Sequence, residues 1–227
     1  MCVHYEALAC TERWRQHFGL EPPTNEGPQD IWPGYQALFI RRPQEALRQE
    51  PGAAATEAIG GRFGLIPHWA RDTTLGRHTY NARTETVAEK PSFRDAWRLG
   101  RRCIIPAEAL YEPDWRSGRA VATRIVRSDG QPMAVAGLWT GWRAPSGEIV
   151  RSFSMLTVSA EGHAFMRQFH RPAEEKRMVV ILPDHSHPAW LQAATADLAD
   201  FLRPYTGELE AVSSPSAQPD LSAKIPK

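Results

Sequence analysis

Apolar and polar positions change rhythm many times along the 227 residues, and most changes mark short extended segments. Ala37 to Ile40 is a compact apolar run closed by Arg41-Arg42-Pro43, the pattern of a short strand. Glu57 to Ile66 alternates as a strand does. Arg102–Ile105, Ala120–Val126, Met133–Trp139 and Phe153–Val158 predict further strands, and Met178 to Leu182, apolar at every position, predicts a central one buried on both faces. Helical spacing is sparse. Residues 11–19 fit a short helix ended by Gly19. Ser92-Phe93-Arg94-Asp95 resembles a capping box opening a helix to about Leu99. Ala160–Gln168 fits one short helix, and Pro188–Leu202 one or two. Residues 21–34 and Pro51–Ala55 predict loops, and Trp69–Thr79 is irregular and polar. From Gly207 onward the Ser, Pro and Ala content predicts a loose tail. Many short strands and few helices predict a mixed fold dominated by a curved sheet or barrel.

Composition adds limits rather than a direction. Hydrophobic residues make up 42% and charged residues 23%, ordinary values for one globular domain. Runs of 18 apolar residues are absent, and the first residues lack the basic and apolar regions of a secretory signal, so neither membrane nor export is expected. Cys2, Cys10 and Cys103 form an odd set without metal-ligand spacing, which fits a reducing cytoplasm and predicts no metal and no cofactor. The net charge of +1 is uninformative, but Arg62 to Arg102 holds nine Lys/Arg against four Asp/Glu. Such a stretch fits either a solvated basic face or a track for a phosphate backbone.

Cys2 carries the sharpest chemistry. Removal of Met1 leaves an α-amine and a thiol on neighbouring carbons. The amine titrates near ~7.7–8.0, so a useful fraction is neutral and nucleophilic at pH 7. It can attack an aldehyde to form a Schiff base, on which the thiol closes as a thiazolidine. A ring-opened abasic deoxyribose presents such an aldehyde. Against this stands the common fate of a free cysteine, a small buried hydrophobe. Trp69, behind Pro67-His68, fits a ring for base stacking or a core tryptophan. Asn81, Arg83 and Glu85 share one face if extended, lining a site or a wet strand. Glu112 follows an apolar strand, surroundings that raise a carboxyl pKa and suit acid/base work. His170 precedes the apolar Met178 strand, where proton-transfer groups gather, with His163 as a competing candidate.

The order and spacing of five segments resemble the SOS-response-associated peptidase, or SRAP, family over residues 2–205. They are Met1-Cys2, Arg62-Phe63-Gly64-Leu65-Ile66-Pro67-His68-Trp69, Asn81-Ala82-Arg83-Thr84-Glu85-Thr86 with Lys90-Pro91-Ser92-Phe93, Arg102-Cys103-Ile104-Ile105-Pro106-Ala107 with Tyr111-Glu112, and His170 ahead of Arg177-Met178. The resemblance implies a single α+β domain around a distorted β-barrel with flanking short helices, followed by a tail over 206–227. It implies abasic-site processing in the DNA damage response by a monomer. Cys2 forms a thiazolidine crosslink with single-stranded DNA, and Asn81, Glu112 and His170 surround it. His4, Pro67, Trp69, Arg83, Glu85, Ser92, Phe93 and Arg94 face the DNA. The family's peptidase label implies autoproteolytic release of Met1. This chain departs from the family pattern in four places. Val3-His4 stands for Gly-Arg, Phe63 for a tryptophan, Pro113 for an aromatic, and Pro172–Lys176 are extra residues.

Two other classes fit the same residues. An N-terminal-nucleophile amidohydrolase also begins with a processed cysteine, whose thiolate attacks an amide. It needs an Asn- and Gly-rich oxyanion site, and the sequence offers no convincing Asn-Gly pair. A non-catalytic single-stranded DNA-binding module would use Trp69, Phe93 and the basic stretch alone.

Overall fold

The computed structural model describes residues 2–24, 27–43 and 54–212, in which twelve strands join one sheet. In chain order the strands are β1 (His4–Ala7), β2 (Asp30–Ile31), β3 (Gln36–Arg41), β4 (Glu57–Phe63), β5 (Asn81–Arg83), β6 (Arg102–Asp114), β7 (Val121–Arg127), β8 (Met133–Arg143), β9 (Ile149–Ser159), β10 (Arg177–Val179), β11 (Ile181–Leu182) and β12 (Leu209–Val212). The helices are short: α1 (Thr11–Phe18), α2 (Arg94–Arg98) and α3 (His187–Gln192). No helix among the described residues is long and apolar enough to cross a membrane.

The sheet closes on itself. β6 pairs β3, β3 pairs β4, β4 runs parallel to β9, β9 pairs β8, and β8 returns to β6. Closure removes the exposed edges that an open sheet of this size presents. Phe39, Phe63 and Phe153 fill the interior, with Phe153 5.3 Å from Phe39 and 5.6 Å from Phe63. The predicted α+β class with a distorted barrel and short flanking helices is what the chain forms, with the β content dominant.

β6 organises everything else. Its first half lies in the barrel, and its second half leaves it to pair with β1 and β7. The sequence pattern ended this strand at Ile105 because Pro106 follows, and proline is poorly tolerated inside a sheet. Pro106 falls at the step where β6 exchanges one neighbour for another: β3 pairs up to Ile104 and β1 begins at Ala107.

Other elements differ from the pattern for identifiable reasons. The apolar run Met178 to Leu182 is two strands. β10 pairs β9 and β11 pairs β8, with Val180 bonded to both sides between them. The helix expected over 160–168 is a turn with one 3-10 segment, Met166–Gln168, because His163 Nδ1 accepts from the amides of Phe165 and Met166 at 3.3 and 3.1 Å. That bond gives His163 a structural task. Ser92 does not cap α2; Phe93 occupies the N-cap position and no side chain caps the helix. Leu209–Val212, placed in the loose tail by composition, pair with Arg124–Arg127 of β7. Met1, most of the Pro51–Ala55 loop and residues 213–227 lie outside the described residues.

Gly64 ends β4 with φ +113°, a region that favours glycine. A Cβ at Gly64 would also overlap the Gly76 carbonyl oxygen. This close approach fixes the 65–79 loop against the barrel mouth. Gly64→Ala combines strain with a backbone clash, so it is expected to cost more than about 3 kcal/mol. Denaturant unfolding monitored by tryptophan fluorescence checks this; a loss within 1 kcal/mol (about the ordinary surface range) would contradict it.

Candidate active site and nucleic-acid surface

Cys2 lies just ahead of β1 and is 1% exposed. β1 pairs antiparallel to β6 with His4 opposite Tyr111, so Cys2 enters beside Glu112. The Cys2 Sγ donates to the His4 carbonyl at 3.3 Å. Burial pushes the Cys2 thiol far above its ordinary range, and the Glu112 charge pushes in the same direction. The sulfur is therefore a neutral thiol at physiological pH.

Glu112 and His170 are both buried, at 2% and 4% exposure. The chain reaches His170 through a bridge between Phe169 and Asp114, and the His170 amide donates to the Pro113 carbonyl at 2.9 Å. His170 has φ +66°, the one described non-glycine residue with positive φ. Such a conformation costs of order 1–3 kcal/mol and persists where surrounding contacts enforce it. The Arg177 carbonyl, 3.0 Å from His170 Nε2, has no hydrogen to give, so Nε2 carries one and donates. Nδ1 then faces Glu112 Oε2 at 3.5 Å.

Asn81 opens β5, which runs parallel to β9 with Asn81 opposite Met155. Its Nδ2 donates to the Cys2 carbonyl at 2.7 Å. Its Oδ1 is buried without a hydrogen-bond partner among the described residues. Cys2, Asn81, Glu112 and His170, widely separated in the chain, therefore meet in one place. Arg83 and Glu85 go elsewhere. The strand ends at Arg83, so the extended face expected for all three residues stops there. Arg83 pairs with Glu175 at 2.8 Å, and Glu85 holds the buried Arg177 guanidinium at 2.8 and 3.2 Å. Glu175 also reaches Arg177, at 2.6 Å. This network anchors the residue whose carbonyl fixes the His170 ring. Glu175, in the extra segment Pro172–Lys176, gives that insertion a structural role.

A second surface lies over residues 67–101. Pro67 and Ser92 line a groove of about 200 Å³ together with His68, Arg98 and Arg101. Arg94 and Arg98 line a neighbouring hollow. Trp69 is 47% exposed, its Nε1 donating to the Pro91 carbonyl at 3.3 Å, so the ring is steadied with a face open to solvent. Two expected contacts are not on this surface. His4 is buried, stacked between Trp32 and Tyr111 at 4.2 and 4.0 Å, with Nε2 2.7 Å from Asp30. It is spent inside the fold and does not face a phosphate. Phe93 is 9% exposed and packs in the core, so it has no ring to offer a base.

The sequence profile of the SOS response associated peptidase (SRAP) family matches residues 1–216. The chain belongs to the SRAP family. The abasic site processing protein YoaM of Bacillus subtilis is 35% identical over 181 residues, 77% of this chain and 75% of its own. YoqW, another protein of that name and organism, is 35% identical over 153 residues; the match spans 65% of this chain and 64% of YoqW. The crystal structure of a Bordetella bronchiseptica protein superposes with a TM-score of 0.81 at 44% identity, covering 94% of this chain and 100% of that one. A Bacteroides thetaiotaomicron protein at 22% identity shares the fold, with a TM-score of 0.76.

Within this SRAP chain the structure adds residues that sequence reasoning passed over. Tyr80 lies beside Cys2 and Glu112, and burial foremost, with the Glu112 charge, pushes its phenol above the ordinary range. Its place beside Asn81 was the available signal. Arg177 was used only as a motif landmark, yet it is 2% exposed and its carbonyl orients His170. No sequence signal joins it to Glu85, 92 residues away.

Proposed function

We propose that this protein processes abasic sites in single-stranded DNA by bonding to them covalently through Cys2. The observation that carries the reading is the setting of Cys2: a thiol held neutral, a backbone carbonyl gripped by Asn81, and the Glu112–His170 pair alongside. The relatives' shared name, abasic site processing protein, supports the substrate class.

The reaction needs the α-amine of Cys2, so Met1 is released first. The amine nitrogen attacks C1′ of the ring-opened sugar, and water leaves as the Schiff base forms. The thiol sulfur then adds to the imine carbon while its proton passes to the nitrogen. The product is a thiazolidine plus water, with no oxidant or metal required. A neutral thiol suits this order, because the amine acts first and the thiol proton is consumed in closure. His170 and Glu112 supply and accept the protons of ring opening and water loss. In this reading Asn81 Oδ1, buried without another partner among the described residues, orients the amine. The test is incubation of the mature chain with a single-stranded oligonucleotide carrying one abasic site, followed by denaturing electrophoresis. A shifted band that survives heating supports the reading; its absence with a confirmed Cys2 N-terminus sinks it.

The surface over residues 67–101 serves as the DNA track in this reading, with Arg94, Arg98 and Arg101 toward phosphates and Trp69 toward a base. Arg83 joins them by exchanging Glu175 for a phosphate. Affinity is expected to fall steeply with salt through counterion release. Trp69→Ala is expected to lose roughly 1–3 kcal/mol of binding to undamaged single strands. Phe93→Leu should leave affinity unchanged. Fluorescence anisotropy across a salt series measures all three. Salt-independent binding, or full affinity in Trp69→Ala, contradicts the placement.

A further inference from the structure

Away from Cys2, His17, Asp184 and His187 bring one ligand-type atom each to within 4.8 Å of one another. His17 lies in the last turn of α1, Asp184 opens the 3-10 turn after β11, and His187 begins α3. His17 Nε2 stands 3.5 Å from Asp184 Oδ1. The Nε2 atoms of His17 and His187 are both buried without a hydrogen-bond partner among the described residues. The His17 side chain is 7% exposed and His187 is 9% exposed. Buried ring nitrogens normally find partners, so two orphans converging beside a carboxylate point to a missing ligand. We propose that His17, Asp184 and His187 bind a divalent first-row transition cation, zinc foremost, which pins α1 to the turn between β11 and α3.

The donor set fits. Two imidazoles and one carboxylate suit zinc, with solvent at a fourth position reached from the half-exposed Asp184 side. Donors about 2.0–2.2 Å from a tetrahedral centre stand roughly 3.4 Å from each other. The His17–Asp184 pair already has that spacing, and small side-chain rotations close the rest. Surrounding groups hold the donors in place. Phe18 stacks on the His187 ring at 5.6 Å. Arg127 bonds both Asp184 oxygens, at 2.5 and 3.1 Å, and Asp129 offsets its charge at 2.6 Å. His185 is exposed on the same turn. The expectation of no metal rested on cysteine spacing, which does not bear on this cluster.

The test uses the full chain stripped with a chelator, desalted, and titrated with Zn2+ or Co2+. One equivalent of zinc should survive desalting, and the melting temperature should rise with zinc and fall back with chelator, as for any ligand of the native state. Co2+ should give the visible bands of a nitrogen and oxygen centre without a thiolate charge-transfer band. His17→Gln and Asp184→Asn should each weaken zinc at least tenfold. Cys10→Ser should leave it unchanged. No retained zinc, or a thiolate band that Cys10→Ser abolishes, overturns the proposal. Crosslinking to abasic DNA is a separate readout, so the two ideas can fail independently.

Discussion

Replacing Cys2 by alanine is expected to abolish the heat-stable adduct with abasic single-stranded DNA. Alanine keeps an α-amine, so a transient Schiff base remains and borohydride traps it. Ring closure is lost because no sulfur is present. Cys2→Ser should behave similarly, separating the amine's role from the thiol's. Cys10→Ser and Cys103→Ala should crosslink normally, since neither position can present an α-amine. An uncleaved extension ahead of Cys2 should block the reaction as fully as the mutation. The pH profile adds a sign. Burial and the Glu112 charge hold the thiol neutral well past the ordinary thiol value of ~8.5. The neutral thiol therefore persists as pH rises through that value, and the rate should show no upward step there. Single-turnover crosslinking and intact-mass spectrometry check these outcomes. A heat-stable adduct of full yield with Cys2→Ala would exclude the thiazolidine.

The second large effect belongs to His170. Loss of a general acid/base group slows a reaction by about 10²–10⁴-fold, and His170 replacement should fall in that range. The choice of variant matters because His170 sits at φ +66°. Asparagine tolerates that region better than alanine does, so His170→Asn isolates the chemistry from backbone strain. Glu112→Gln should slow adduct formation as well, and should hinder its reversal, because an amide cannot accept or release a proton as a carboxyl does. Binding to undamaged single strands should change less than about twofold in both, since neither residue lies on the 67–101 surface. Wild-type crosslinking rates in His170→Asn across the pH profile would remove His170 from the mechanism. His163 does not replace it, being tied to the amides of Phe165 and Met166.

The candidate site was legible where a residue's chemistry is unusual in itself. Only a cysteine at position 2 can offer an amine and a thiol on adjacent carbons. The residues whose surroundings differ from expectation share a cause. His4 was judged by the family's basic residue at that place, but its ring fits between Trp32 and Tyr111, which only strand pairing brings together. Phe93 was set toward the DNA by the family resemblance, but its ring packs in the core. Arg83 and Glu85 were judged by period-two alternation, which ends where the chain turns after Arg83.

The sequence by itself determined the number and order of most strands, because apolar runs and their alternation are local properties. Through motif order it named the residues that the fold brings together around Cys2. The tertiary structure decided how those strands close, with β6 changing partners at Pro106 and Met178–Leu182 dividing between two neighbours. It decided that Glu85 secures Arg177, that His170 is held in a strained conformation, and that His17 meets Asp184 and His187. These outcomes depend on contacts between positions far apart in the chain. Burial then sets the charge state of each group, and burial is a property of the assembled core that no local pattern carries.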